Sequence, residues 1–438
     1  MQQINHPPAG LETDLHPALD EHESSVESDR CYFCYDAPCV TACPTGIDIP
    51  LFIRQIQTGN RTGAAKTIFD ENILGGMCAR VCPTETLCEQ ACVREAAESQ
   101  PVKIGRLQRF ATDSFLGEAV HPYQRASDSG KRVCVVGAGP AGLACAHRLA
   151  IYGHQVALLD AGDKPGGLNE YGIAAYKTVD DFAQKEVEFI LSVGGISLQK
   201  GVHVGSDVSF KELLEQYDAI FLGIGLGDVN QVALEGSNLA GVSNAVEFIA
   251  NLRQSDDYTG VLPGRRVVVI GGGMTAIDAA VQARMLGAEE VTIAYRRGVE
   301  SMNASRYEQE LAQINGVKIR HNVQPVEFHN DGTGQIDSVE LEHTITEAGE
   351  LRATGEKFVV EADSVLLAIG QSLQEQLLAD TAIELKGNRI VVDEGYRTGH
   401  PNIWAGGDCI SGGEDLTVAA VQDGKLAAES IHLALSAQ

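Results

Sequence analysis

The chain has 438 residues, with 33 Lys and Arg against 60 Asp and Glu and a formal net charge of −27. Hydrophobic residues make up 44% and mean hydropathy is near zero, as in an ordinary soluble protein of roughly two to three domains. The acidity argues against nucleic acid or an anionic membrane as the main partner, since both need basic patches.

Residues 1–30 predict a polar, acidic leader, partly disordered, without a signal-peptide pattern. No apolar stretch is long enough to span a bilayer, so the expected location is the cytoplasm, where thiols stay reduced. Residues 31–125 hold eight of the eleven cysteines. Cys31, Cys34, Cys39 and Cys43 follow C-x2-C-x4-C-x3-C-P, and Cys78, Cys82, Cys88 and Cys92 follow C-x3-C-x5-C-x3-C. Cysteine-only sites suit soft metals. Structural zinc is one reading. Two ferredoxin-type iron–sulfur clusters are the other, favoured by the close spacing, the terminal C-P and the likeness to motifs whose fourth cysteine serves the other cluster. Between the groups, IPLFIRQIQTGNRTGAAKTIFDEN has helical apolar spacing.

From Lys131 the pattern changes. KRVCVVGAGPAGLACAHRLAIYGHQVALLD reads as strand, glycine turn, helix and strand. Gly137, Gly139 and Gly142 form G-x-G-x-x-G: turn, close approach to a pyrophosphate, and helix–strand packing. Asp160 ends the second strand, 18 residues past Gly142, where a ribose-binding acid belongs. Residues 264–297 repeat the plan, with Gly271, Gly273 and Ala276 placed 134 residues after the first motif. Here Tyr295 is followed by Arg296 and Arg297, which suit the 2′-phosphate of NADP, with Arg306 in reach. The competing reading is a solvated loop in which they pair with Glu300 and Glu308.

YDAIFLGIG (217–225) and ADSVLLAIG (362–370) each read as a buried strand that closes one unit. The second unit is then inserted in the first. The expected fold is α/β: two Rossmann-like dinucleotide-binding domains, the NAD(P) domain inserted in the FAD domain, after an α-helical domain with two [4Fe-4S] clusters. The expected divisions are 31–125 for iron–sulfur, 126–228 and 373–438 for FAD, and 229–372 for NAD(P). In NIWAGGDC, Asp408 is placed to meet the flavin's ribityl chain, or else to cap the following helix or turn. Cys134, Cys145 and Cys409 form no paired motif, which argues against a disulfide reductase.

CYFCYDAPCVTACP, MCARVCPTETLCEQACV and IGRLQRF together resemble the N-terminal part of the dihydropyrimidine dehydrogenase family, in its separate bacterial flavoprotein subunit. The flavoprotein half is shared with the small subunit of glutamate synthase. The resemblance implies one [4Fe-4S] cluster on Cys31, Cys34, Cys39 and Cys92. It implies a second on Cys43, Cys82, Cys88 and Gln108, with Cys78 left out, although counting cysteines alone selects Cys78. It implies FAD at Gly137, Ala138, Gly139, Pro140, Ala141 and Gly142, at Asp160, and at Gly166, Gly167 and Leu168. Lys177, Val204, Gly407, Asp408, Thr417 and Val418 complete that site. The nicotinamide site is implied at Gly271, Gly272, Gly273, Met274 and Thr275, at Arg296 and Arg297, and at Ala368, Ile369 and Gly370. Asn303 replaces a further family arginine, and NADPH is only slightly favoured over NADH.

The resemblance thus implies an electron-input subunit. NAD(P)H, FAD and two clusters would feed an FMN-containing partner, with its own iron–sulfur clusters, that reduces uracil or thymine. No acid–base catalytic residue is expected, because hydride transfer needs positioning. The rival enzymes are a glutamate synthase small subunit and a stand-alone NAD(P)H:acceptor oxidoreductase. The rival from another class is a zinc-stabilised nucleotide-binding regulatory protein.

Overall fold

A computed structural model describes residues 11, 13–116, 121–378 and 381–437. The chain forms two compact units, one built on residues 16–170, 180–228 and 372–438, the other on 229–371 with 171–179 and the described residues up to Leu15.

The first unit starts helically. Where the sequence suggests a leader, α1 (Glu21–Asp29) is formed, closed by a capping box between Asp20 and Glu23. The reason is tertiary. Arg30 bonds the carbonyls of Gln100 and Pro101, and Glu27 accepts from the Lys103 N–H. Residues 1–10 and 12 of that leader lie outside the described residues. Then come α2 (Pro38–Thr41), α3 (Ile49–Gln57), α4 (Arg61–Glu71), α5 (Gly75–Val81), α6 (Val93–Glu98) and α7 (Ile104–Leu116). Phe52, Ile53 and Ile56 of α3 meet Ile68 of α4 and Leu107 and Ala111 of α7, the apolar stripes expected of amphipathic helices.

A parallel sheet continues the same unit: β1 (Arg132–Val136), β2 (Gln155–Asp160), β3 (Ile196–Lys200) and β4 (Ala219–Leu222). With them come α8 (Pro140–Ile151), α9 (Leu168–Tyr171), α10 (Phe182–Leu191) and α11 (Phe210–Gln216). Short β5 (Asp228–Val229) stands where the chain leaves.

The second unit holds β6 (Val242–Asn244), α12 (Ala245–Arg253), β7 (Arg266–Gly271), α13 (Met274–Met285), β8 (Glu290–Tyr295), α14 (Arg306–Ile314) and β9 (Lys318–His321). Next come β10 (Val323–Asn330), β11 (Ile336–Glu347), β12 (Glu350–Glu361), β13 (Ser364–Ala368) and β14 (Gln371–Ser372). The chain returns to the first unit through β15 (Ile403–Ala405) and α15 (Thr417–Ser436).

The sheets run β15-β4-β1-β2-β3 and β6-β13-β7-β8-β9, each parallel throughout. The strand order reverses beside β1 in one and beside β7 in the other, the place where α/β sheets bind ligands. The two closing strands expected from sequence are β4 and β13. The antiparallel meander β10-β11-β12 is an addition that the two-copy reading does not contain.

Besides its own core around Phe52, Ile53 and Leu107, the helical segment shares a second one with the sheet. Phe69, Ile73, Leu74 and Phe115 share one apolar cluster with Val133, Leu143 and Ile190 of the first sheet layer. Helix α15 closes that layer. A Cβ on Gly424 would stand 2.1 Å from the Ala141 carbonyl oxygen, so glycine sets the spacing of α15 and α8. Among the described residues no helix is long and apolar enough to cross a membrane. Gly424→Ala is expected to cost about 1–3 kcal/mol by overpacking. Thermal unfolding followed by fluorescence of Trp404, which bonds Ser430 of α15, checks this; an unchanged midpoint would show that the helices can separate freely.

Candidate functional site

The eight N-terminal thiols sort into two sets. Cys31 interacts electrostatically with Cys34 and Cys92, and Cys39 with Cys31 and Cys92. These four line one hollow, open in part to solvent and walled by Ile49, Ile53 and Ile104. Cys82 interacts electrostatically with Cys78, Cys88 and Cys43, and Cys88 with Glu89, Cys43 and Cys39, so the two sets adjoin at Cys39. So Cys92 joins the first three cysteines, while Cys43 joins the later group.

Burial pushes the Cys39 thiol up to about 12. Cys82 is raised by its hydrogen bond to Cys78 and then by burial, and Cys88 by burial first. Crowded, buried thiolates are unfavourable without a cation among them. That donor set fits iron–sulfur clusters, whose iron would supply the charge. Gln108 is 8% exposed, so it is not a surface glutamine. Its Nε2 donates to the Gly75 carbonyl at 2.7 Å, which fixes the amide plane and leaves Oε1 unpartnered among the described residues. Cys78, also buried, stays in hydrogen-bond contact with Cys82.

The first glycine loop joins β1 to α8. Gly137 has φ +96°, and a Cβ there would meet the Gly223 carbonyl at 2.3 Å. A Cβ on Gly142 would lie 1.8 Å from the Gly137 oxygen. Gly139, ahead of Pro140 and Ala141, has only Gly167 nearby, at 3.9 Å, which leaves room for a pyrophosphate. Gly166 donates to the Ala138 carbonyl, so the turn before Leu168 crosses this loop. Asp160 accepts from the N–H groups of Ala138 at 2.6 Å and Gly162 at 2.8 Å.

Burial pushes the Asp408 carboxyl up to about 6. Its side chain caps no helix, since α15 begins at Leu416 without a side-chain cap. Gly407 is instead held by Asp423 at 2.9 Å. Thr417 donates to Asn169 at 2.8 Å, and Val418 is buried at the start of α15. Val204 is packed in an apolar core. Lys177, implied at the flavin, lies in the other compact unit. There its ammonium is 2.8 Å from Asp278 and 2.7 Å from Glu308.

The second loop repeats the first. A Cβ on Gly271 would meet the Ala368 carbonyl at 2.2 Å, nothing lies within 4 Å of one on Gly273, and Ala276 is fully buried. Met274 and Thr275 open α13 beside that space, and Ile369 and Gly370 come directly after β13. Arg296 and Arg297 are exposed, and their side chains form no ion pair among the described residues. Their carbonyls are anchored by Thr344 and Asn322. Glu308, one of the two partners that a solvated loop would give them, is taken by Lys177; Arg306 pairs with Glu310 at 3.4 Å. Asn303 is exposed. Cys134, Cys145 and Cys409 are buried and free.

These paired parallel sheets, glycine loops and thiol sets define a class of dinucleotide-dependent oxidoreductase with an iron–sulfur extension. A model of the pyridine nucleotide-disulphide oxidoreductase family matches residues 131–424, and one of dihydropyrimidine dehydrogenase domain II, 4Fe-4S cluster, matches 12–120. The chain belongs to the pyridine nucleotide-disulphide oxidoreductase family, among members with this N-terminal 4Fe-4S domain.

The subunit PreT of NAD-dependent dihydropyrimidine dehydrogenase from Salmonella typhimurium is 35% identical over 420 residues, 96% of each chain. The glutamate synthase [NADPH] small chain of Escherichia coli is 34% identical over 442 residues, 95% of this chain and 93% of that one. In fold, the chain is similar to T. acidophilum thioredoxin reductase (TM-score 0.56, 23% identity, 69% of this chain and 98% of that). It is also similar to Mycobacterium tuberculosis FprA (TM-score 0.59, 20% identity, 70% and 85%). The family implies FAD, NAD(P)H and 4Fe-4S chemistry, and the chain is an electron-transfer oxidoreductase.

Cys78→Ala is expected to leave iron and acid-labile sulfide at wild-type levels. Loss of about half the iron would instead make Cys78 a ligand in place of Gln108.

Proposed function

We propose that the chain is the electron-input subunit of a dihydropyrimidine dehydrogenase. The observation that carries the reading is the sorting of the thiols into Cys31, Cys34, Cys39, Cys92 and a second set with Cys43, Cys82 and Cys88. When bound, FAD and two [4Fe-4S] clusters supply the conversion between the electron pair of NAD(P)H and single electrons. The first thiol set would hold one cluster. The second set, completed by the Gln108 amide, would hold the other, because that amide is already oriented with its oxygen unused. The glycine loops at Gly139 and Gly273 present backbone N–H groups to the two pyrophosphates. Asp160 would bind the adenosine ribose of FAD, and Asp408 would meet its ribityl chain.

The partner carries FMN and further clusters. It adds two electrons and two protons across the C5=C6 bond of uracil or thymine, while NAD(P)H is oxidised to NAD(P)+. Tyr32 and Tyr35, exposed beside the first thiol cavity, offer it a face. On this reading the complex is cytoplasmic. A second reading, the glutamate synthase small chain, is favoured by the near-equal identity of that relative. Co-purification with the candidate partner and a uracil-dependent NAD(P)H oxidation assay test the first. Turnover only with glutamine, 2-oxoglutarate and a large amidotransferase subunit would replace it with the second.

The unpaired Arg296 and Arg297 favour NADPH, whereas the PreT relative is named as NAD-dependent. Replacing both with Ala is expected to raise KM for NADPH about tenfold, as loss of a charge-assisted contact would, and to change KM for NADH little. Equal effects on both would show that these arginines do not read the 2′-phosphate.

A further inference from the structure

Helix α5, which brings Cys78 and Cys82 to the second thiol set, is held by residues far away in the chain. Leu74 provides no side-chain cap for it. Instead the N–H groups of Gly76 and Met77 donate to a single oxygen, Oε1 of Glu186, at 2.8 and 3.0 Å. Glu186 lies on α10 and is 2% exposed. A Cβ on Gly76 would stand 2.8 Å from that oxygen and 2.6 Å from the Phe182 ring, so the approach requires glycine. Arg80 lies over the same ring at 3.3 Å and bonds the Gly76 carbonyl at 2.9 Å and Asp113 at 2.8 Å. The carbonyl of Gly75 receives the Gln108 amide. One turn of backbone is therefore gripped by three side chains. Two of the proposed ligands depend on it: Cys82 at its far end and Gln108 through Gly75.

We infer that Glu186 is a positioning residue for the second cluster: by fixing the first turn of α5 it sets the places of Cys82 and the Gln108 amide, and with them the cluster's reduction potential. This rests on the reading that Cys82 and Gln108 are cluster ligands. Residues behind the ligands are a recognised lever on a metal centre's properties. Because both N–H groups use one oxygen, a glutamine can keep both contacts through its carbonyl, whereas an alanine removes both. The pair Glu186→Ala and Glu186→Gln therefore separates loss of these two contacts from a mere change of side chain.

The test is an EPR-monitored redox titration of the cofactor-loaded protein, with iron and sulfide measured alongside. Glu186→Ala is expected to shift the g-values and midpoint potential of one cluster and leave the other unchanged, losing at most about half the iron. Glu186→Gln is expected to keep the wild-type signature and iron. If Glu186→Ala is not recovered, Gly76→Ala, which drives a methyl group against Glu186, is expected to reproduce the shift. Wild-type signals in Glu186→Ala, or equal disturbance of both clusters, would overturn the inference. Iron for only one cluster in the wild-type protein, or Cys82→Ala with full iron, would remove the underlying reading itself.

Discussion

Three phenylalanine rings hold the first unit together. Phe69 of α4, Phe115 of α7 and Phe189 of α10 meet with centroids 5.8, 5.0 and 6.2 Å apart, mostly edge to face. Each such pair is worth about 0.5–1.5 kcal/mol beyond its area. More important is what they join. The cysteine-bearing helices are cemented to the first sheet layer, not tethered beside it. Lys425 adds a polar tie, bonding Glu71 at 2.7 Å and approaching the Thr45 carbonyl at 3.5 Å, two residues past Cys43. It stands on the same helix that begins at Thr417 and Val418. Electron transfer depends on distance, and here the distance is set by packing within one core.

The two sheets solve one steric problem twice. In each, the first glycine of the motif lies so close to the end of the neighbouring strand, β4 or β13, that a Cβ would strike a carbonyl, of Gly223 or of Ala368. The central glycine borders open space in both. The difference lies at the next strand end. Asp160 is pinned by two backbone N–H groups, a rigid acceptor suited to hydroxyl groups. Arg296 and Arg297 are pinned only through their carbonyls and keep their guanidinium groups in solvent. A site with a pre-organised, half-buried acceptor suits a resident ligand; exposed cations suit one that must come and go.

The glycine loops, closing strands and insertion were legible because strand–turn–helix units declare themselves within about thirty residues. The helix at Glu21–Asp29 was not legible: its polar sequence has no apolar stripe, and its stability comes from contacts near residue 100. The exchange of 171–179 into the other unit was equally hidden. Its reason is the burial of Tyr176 and Lys177 against Asp278, more than a hundred residues later. Gln108 illustrates the general limit. Nothing in IGRLQRF distinguishes a surface glutamine from a buried one, whereas the Gly75 carbonyl that orients it is brought there only in the folded chain.

The crossing of the thiol sets has an energetic consequence. On the proposed assignment, one cluster links Cys31, Cys34 and Cys39 to Cys92, and the other links Cys43 to Cys82 and Cys88. Each linkage closes a long loop, and the two loops overlap. Loop closure restricts the unfolded chain, and the restriction grows only slowly with length, so two overlapping closures stabilise the folded form more than two local knuckles would. The buried thiols push in the same direction. Burial and crowding raise the Cys39, Cys82 and Cys88 thiols, so part of the energy of cluster binding goes into ionising them. The helical segment should therefore reach full rigidity only with its clusters in place, while the two glycine-loop sheets, cored by Val and Ile strands, do not depend on metal for their packing.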